Sequence, residues 1–421
     1  MQTNLAPEFK GTRQGQEAEA ILRKCVHCGF CNATCPTYQL LGDELDGPRG
    51  RIYLMKQVLE GAPVTRKTQL HLDRCLTCRN CETTCPSGVQ FGHLVDIGRE
   101  IVQARVARPA GEKALRWLLK EGLTSPMFGP ALKLGQWLRP LLPATLKNKV
   151  PAGGAAQGAR AKQWPTREHK RKVLMLLGCV QPAMMPNINS ATARVLDAAG
   201  IQSLVADGAG CCGALRTHLG DTEGGLADMR RNIDAWWPLV NGLTSSGKVE
   251  AIVMNASGCG VAVKDYGHAL AHDPDYADKA RRVSELTRDI SELLPDIVPK
   301  LKGKLRADKL QRLAFHPPCT LQHGQQLRGG VETQLNALGF DVSVSPNESH
   351  LCCGSAGTYS VLQPALARQL RDRKLHNLQA LSASTPVAAI ISANIGCIQH
   401  LQTGTPTPVR HWVEVLDDAL A

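Results

Sequence analysis

Apolar positions change their period along this chain. After the Gly47-Pro48 turn, Ile52, Met55, Val58 and Leu59 recur at helical spacing, and residues 91–106, FGHLVDIGREIVQARV, read as another helix. The first hundred residues therefore predict helices. Residues 113–148 mix Leu and Trp with Lys and Arg and are interrupted by Pro126, Pro130, Pro140 and Pro143, which predicts broken amphipathic helices. Trp117, Phe128 and Trp137 stand on this stretch, and packing against the protein's own body is expected for them ahead of a membrane or a second subunit. Residues 151–172, rich in Gly, Ala and positive charge, read as a linker.

From about residue 171 short apolar runs alternate with Ala-rich amphipathic stretches such as ATARVLDAAG. The runs VLMLLG, AIVM, RLAF and AIIS each precede a cysteine. Such β/α alternation predicts parallel sheets, with the cysteines on loops at the carboxyl ends of the strands. Two similar halves are present. Cys179, Cys211 and Cys259 recur as Cys319, Cys352 and Cys397 at offsets of 140, 141 and 138 residues, so one unit has been duplicated. Each half carries a Cys-Cys-Gly triplet, 211–213 and 352–354, whose Gly213 and Gly354 allow close backbone approach. The expected fold is multidomain α+β: an α-helical ferredoxin-type domain at 1–107, a helical connector and linker at 108–170, and two α/β cysteine-rich (CCG) units at 171–300 and 301–421.

Composition narrows the chemistry. With 421 residues and 43% apolar positions the chain supports real cores without covalent staples. Its start, MQTNLAPEFKGTRQGQEAEA, has no apolar core of a secretion signal, and no apolar run approaches the ~20 residues of a spanning helix. A reducing cytosol is expected, and there clustered cysteines bind metal more often than they pair. The net charge of +12 suits an acidic partner or an anionic surface, whereas 4% aromatics and scattered positives argue against nucleic acid.

Eight of the 16 cysteines form two runs of the same spacing, CVHCGFCNATCP at 25–36 and CLTCRNCETTCP at 75–86. Three cysteines at two-residue separation let one loop face three corners of an iron-sulfur cube. The fourth, followed by proline, ligates the other cluster in bacterial ferredoxin runs. Cys25, Cys28, Cys31 and Cys85 are thus assigned to one 4Fe-4S cluster, and Cys75, Cys78, Cys81 and Cys35 to the other. Zinc in two separate four-cysteine knots is the alternative. Arg49 and Arg51, between the runs, either balance cluster or partner charge or decorate a solvated turn. In the CCG units Cys179, Cys211, Cys212 and Cys259, and Cys319, Cys352, Cys353 and Cys397, are candidate metal ligands. A further iron-sulfur centre leads there, ahead of structural zinc or an unoccupied redox thiol set.

The chain resembles the iron-sulfur subunit of the membrane-associated glycolate oxidase (glycolate dehydrogenase) of bacteria. The likeness rests on both runs, the connector LLGDELDGPRGRIYL, and the segments LCCGSAGTY and ANIGC. It implies an electron-transfer subunit beside two FAD-linked oxidase-type flavoprotein subunits. Glycolate would be oxidised to glyoxylate on a partner, with D-lactate to pyruvate as a second reaction, and electrons would pass towards membrane quinone at the inner face of the cytoplasmic membrane. Related units occur in lactate-utilisation proteins, the anaerobic glycerol-3-phosphate dehydrogenase subunit and heterodisulfide reductase. The last ends its units in CxxC, whereas positions 262 and 400 here are Ala and His. A self-contained thiol or disulfide reductase and a zinc-bearing interaction module remain as other readings. No residue is assigned to catalysis, because no dinucleotide, flavin or zinc-protease motif is present.

Overall fold

The computed structural model describes residues 1–141, 161–382 and 385–421, so residues 151–160 of the expected linker lie outside the described part. Four longer helices, Arg13–Lys24, Pro48–Leu59, Arg66–Asp73 and Phe91–Arg105, build the N-terminal domain. Thr12 and Thr65 cap two of them by accepting from Gly15 N and Thr68 N, and Pro48 opens a third, where a missing N–H costs nothing. Ile52, Met55, Val58 and Leu59 turn inward together onto Ile21, Leu22, Leu94 and Val95. Gly98 allows the helices to close, since a Cβ there would lie 2.5 Å from Met55 Sδ.

The connector forms helices Ala110–Thr124 and Phe128–Leu138, neither with a buried residue. Trp117 is 61% and Trp137 76% exposed, which corrects the expectation that they pack on the protein's own body. Charge holds the first helix instead: Arg116 pairs with Asp73 at 3.1 Å, Lys120 with Asp221 at 2.9 Å and Glu121 with Arg216 at 2.9 Å. Its polar side is therefore the one that docks.

Strands β1 (Arg171–Met175), β2 (Ile201–Leu204), β3 (Ala251–Met254) and β4 (Thr287–Asp289) make a parallel sheet of order β2-β1-β3-β4. Strands β5 (Arg312–His316), β6 (Asp341–Val344), β7 (Ala389–Ser392) and β8 (Val409–His411) repeat it as β6-β5-β7-β8. The fully buried β3 and β7 explain why AIVM and AIIS read as continuous apolar runs. One core runs through both units, from Val173, Ile188 and Leu196 to Phe315, Ile391 and Trp412. The units also exchange polar contacts: Asn187 Nδ2 donates to Glu414 Oε1 at 2.9 Å, His411 Nε2 meets Asn255 O at 2.9 Å, and Ser257 Oγ meets Thr320 Oγ1 at 2.7 Å. Among the described residues no helix is long and apolar enough to cross a membrane.

Candidate metal-cluster sites

Both cysteine runs wrap their loops in the same way. His27 and Gly29 in the first, and Thr77 and Arg79 in the second, adopt left-handed backbone with φ of 60°, 87°, 52° and 59°. Successive turns of this hand aim N–H groups inward, and Thr77 N lies 3.4 Å from Cys75 Sγ. One cavity is lined by Cys25, Cys28, Cys31 and Cys85, and a second by Cys35, Cys75, Cys78 and Cys81. Each run thus sends its fourth cysteine across to the other loop. Pro48, Cys81 and Phe91 line both cavities, which share a wall.

All sixteen cysteines are unbridged. Burial, reinforced by neighbouring thiols, pushes the Cys31 thiol up to about 12 and those of Cys78 and Cys81 well above the ordinary range. Bare thiols so placed stay protonated. Holding them as thiolates needs a concentrated positive charge, which soft iron centres supply, so this donor set fits 4Fe-4S clusters.

The arginines of the Pro48-Arg49-Gly50-Arg51 turn are divided between the cavities. Arg49 lines the first and pairs with Glu44 at 2.6 Å; Arg51 lines the second. Arg51 is buried, donating to His71 O at 2.8 Å and Thr37 Oγ1 at 3.2 Å, and reaching Cys35 Sγ at 4.0 Å. Arg99 ties the second loop down through Cys75 O at 2.7 Å and Thr77 Oγ1 at 2.9 Å.

In the first CCG unit Cys179, Cys211, Cys212 and Cys259 converge. The Cys211 thiol is held below its ordinary range by hydrogen bonds from Cys179 and then Cys212, which outweigh burial, with Gly213 N–H and the Arg216 charge adding to them. Asn232 fixes the pair by donating to Cys211 O at 2.7 Å, and Tyr266 Oη donates to Cys212 O at 3.0 Å. Gly213 and Gly354, with φ of 87° and 88°, do permit close approach, but to a helix. A Cβ would lie 2.7 Å from Gly225 O or 2.6 Å from Ala367 O.

In the second unit Cys319, Cys352, Cys353 and Cys397 are all buried, with Cys319 and Cys352 Sγ atoms 3.7 Å apart. This site abuts the second cavity. Leu76 and Cys78 from the second run pack with Cys319, Cys352 and Tyr359. Asn80 Nδ2 reaches His350 O at 3.4 Å, and Thr83 Oγ1 meets His323 Nδ1 at 2.9 Å.

The 4Fe-4S dicluster domain family matches residues 21–89, and the cysteine-rich CCG domain family matches 173–264 and 313–402. The glycolate oxidase iron-sulfur subunit of Escherichia coli (strain K12) is 55% identical over 421 residues, covering 100% of this chain and 99% of that protein. The chain belongs to the glycolate oxidase iron-sulfur subunit family. A probable glycolate oxidase iron-sulfur subunit of Bacillus subtilis (strain 168) is 29% identical, covering 92% of this chain and 89% of its own. Lactate utilization protein A of Geobacillus thermodenitrificans (strain NG80-2) is 24% identical over 58% of this chain and 98% of its own.

For an iron-sulfur subunit of this oxidoreductase family, several site residues carry no sequence signal. Tyr359 and buried Lys374 lie beside the second unit's thiols, and Asn232 and Tyr266 support the first. None has a spacing that marks it. The two departures from CxxC are structural: Ala262 packs against the first unit's core, and His400 Nε2 lies 3.1 Å from Ala367 O.

Proposed function

We propose that this subunit carries electrons from a flavoprotein partner that oxidises glycolate to glyoxylate, with D-lactate as a second substrate, towards membrane quinone. Cys25, Cys28, Cys31 and Cys85 hold one 4Fe-4S cluster, and Cys75, Cys78, Cys81 and Cys35 the other. Such clusters, when bound, supply one-electron transfer without hydride chemistry. The protein's part is to hold them against a shared wall, to offset their charge with Arg49 and Arg51, and to exclude water from the second. Residues 1–107, 171–300 and 301–421 act as three functional units joined by the connector.

The observation that carries this reading is a continuous row of thiol sites: the two cavities share Cys81, and Cys78 packs on the second unit with Cys319 and Cys352. At the opposite end Cys28 is exposed beside exposed Val26, Phe30 and Tyr53, a surface suited to two FAD-linked oxidase-type subunits. Exposed Trp117, Leu118, Met127, Leu134 and Trp137, with Lys113 and Lys133 nearby, suit the inner face of the cytoplasmic membrane. A disulfide reductase is disfavoured because Cys211, Cys212, Cys352 and Cys353 are buried from any substrate disulfide.

The test uses the assembled complex. In Cys28→Ala or Cys78→Ala, glycolate-to-quinone flow is expected to be lost while a dye reduced at the flavin still turns over. Quinone reduction that survives loss of either residue would refute the route. Iron and acid-labile sulfide on anaerobically purified protein give about eight irons if the two runs alone carry clusters, and about twelve to sixteen if the CCG units add more.

A further inference from the structure

The second CCG unit buries an imidazole where the first buries a leucine. His316 ends β5, is fully buried, and has no hydrogen-bond partner at either ring nitrogen among the described residues. A ring nitrogen of His316 and the sulfurs of Cys353 and Cys397 all lie within 4.8 Å of one another. Buried imidazoles normally find a donor or acceptor, because an orphaned polar nitrogen forfeits its hydration. The residue 140 positions earlier, matching the Cys179-to-Cys319 offset, is Leu176, so the first unit offers no nitrogen at this place.

We propose that His316 is a ligand of the second unit's centre. One ring nitrogen binds the metal held by Cys353 and Cys397, and Cys319 and Cys352 complete a donor set of one nitrogen and four sulfurs. This rests on the reading that the unit holds an iron-sulfur centre. Imidazole is a ligand of iron as well as of zinc, and as a neutral donor it adds no negative charge to the centre, whereas a fifth thiolate would lower the reduction potential. Buried Lys374, whose Nζ donates to Ser349 O at 3.3 Å, lies beside the same thiols.

The experiment is pulsed electron paramagnetic resonance on the anaerobically purified, stepwise-reduced holoprotein with nitrogen-15 histidine. The expected result is one iron-sulfur signal with the coupling of a directly bound imidazole nitrogen, absent in His316→Ala. In His316→Cys, which keeps a ligand and serves if the alanine variant does not fold, iron per chain stays at the wild-type value. There the nitrogen coupling disappears and the midpoint potential of that signal falls. A signal that depends on Cys353, lost in Cys353→Ser, yet shows no bound nitrogen would overturn the His316 assignment alone. Zinc at the site, or no signal that depends on Cys353, would overturn the redox reading of this unit and the proposal with it.

Discussion

Arg51 and Asp46 form an ion pair, Nη2 to Oδ1 at 3.5 Å, with both side chains withdrawn from solvent. Asp46 also takes Arg74 at 2.8 Å and His71 Nδ1 at 3.1 Å, so one carboxylate gathers three side chains from two neighbouring helices. Without Arg51 the Asp46 carboxylate keeps Arg74 and His71, but the buried acceptors His71 O and Thr37 Oγ1 lose their donor, at about 1–3 kcal/mol for each group left unsatisfied. Arg51→Met is therefore expected to lower the unfolding midpoint of the anaerobic holoprotein by that amount of stability and to loosen iron at the second site. A wild-type midpoint in this variant would show that the pair does not hold the domain together.

Gly354 separates two effects of glycine. Its φ of 88° and the 2.6 Å approach of a Cβ to Ala367 O act together, whereas Gly357, at 61°, has open space around it. Gly357→Ala should cost about 1–2 kcal/mol for left-handed backbone alone. Gly354→Ala should add about 1–3 kcal/mol of overpacking and disturb the 3.4 Å contact from Gly354 N to Cys352 Sγ. Equal unfolding free energies for the two variants would refute the close-approach account.

What could be read from the chain beforehand follows from distance along it. Ligand spacing within a run is local chemistry, so the sequence already indicated which thiols each loop presents, and the constant offsets revealed two copies of one sheet. Apolar runs likewise marked β3 and β7, because a strand buried on both faces needs no alternation. The placement of Arg51 against Asp46, of Leu76 against Cys319, and of His316 against Cys397 depends on segments brought together only by the fold. Trp117 and Trp137 misled for a related reason. An amphipathic period shows that one side of a helix is apolar, not what covers it, and here ion pairs dock the other side.

The contact between the N-terminal domain and the first CCG unit should weaken with rising pH. His93 stacks on His268 at 3.9 Å, lies 3.0 Å from Asp265 and faces Glu17. Burial opposes its charge, but the Asp265 carboxylate outweighs burial and raises the His93 pKa above its ordinary value. A raised folded value means that the native state binds the proton more tightly. The resulting stabilisation is complete below about pH 6.5, the unfolded value, and is lost as pH climbs through the folded one. Glu17, whose pKa is lowered by its hydrogen bond from His268, loses its contribution only in acid, outside that window. Unfolding midpoints measured across neutral pH should fall in the wild type and be flatter in His93→Gln. Parallel curves would remove His93 as the cause.

The connector helices test the membrane reading directly. Trp117 and Trp137 are so exposed that Trp117→Ser with Trp137→Ser should leave stability within about 0.5 kcal/mol per site. If both rings enter a lipid interface, their loss should weaken binding of the holoprotein to anionic vesicles at least tenfold, about 1.4 kcal/mol. Lys113→Glu with Lys133→Glu should act differently, weakening binding most at low salt, because attraction to anionic headgroups is screened within a Debye length of about 8 Å at physiological ionic strength. Co-sedimentation with vesicles of anionic and of neutral lipid distinguishes the two contributions. If the tryptophan variant binds anionic vesicles like the wild type but no longer co-purifies with the other subunits of its complex, this face belongs to subunit assembly and the membrane contact lies elsewhere.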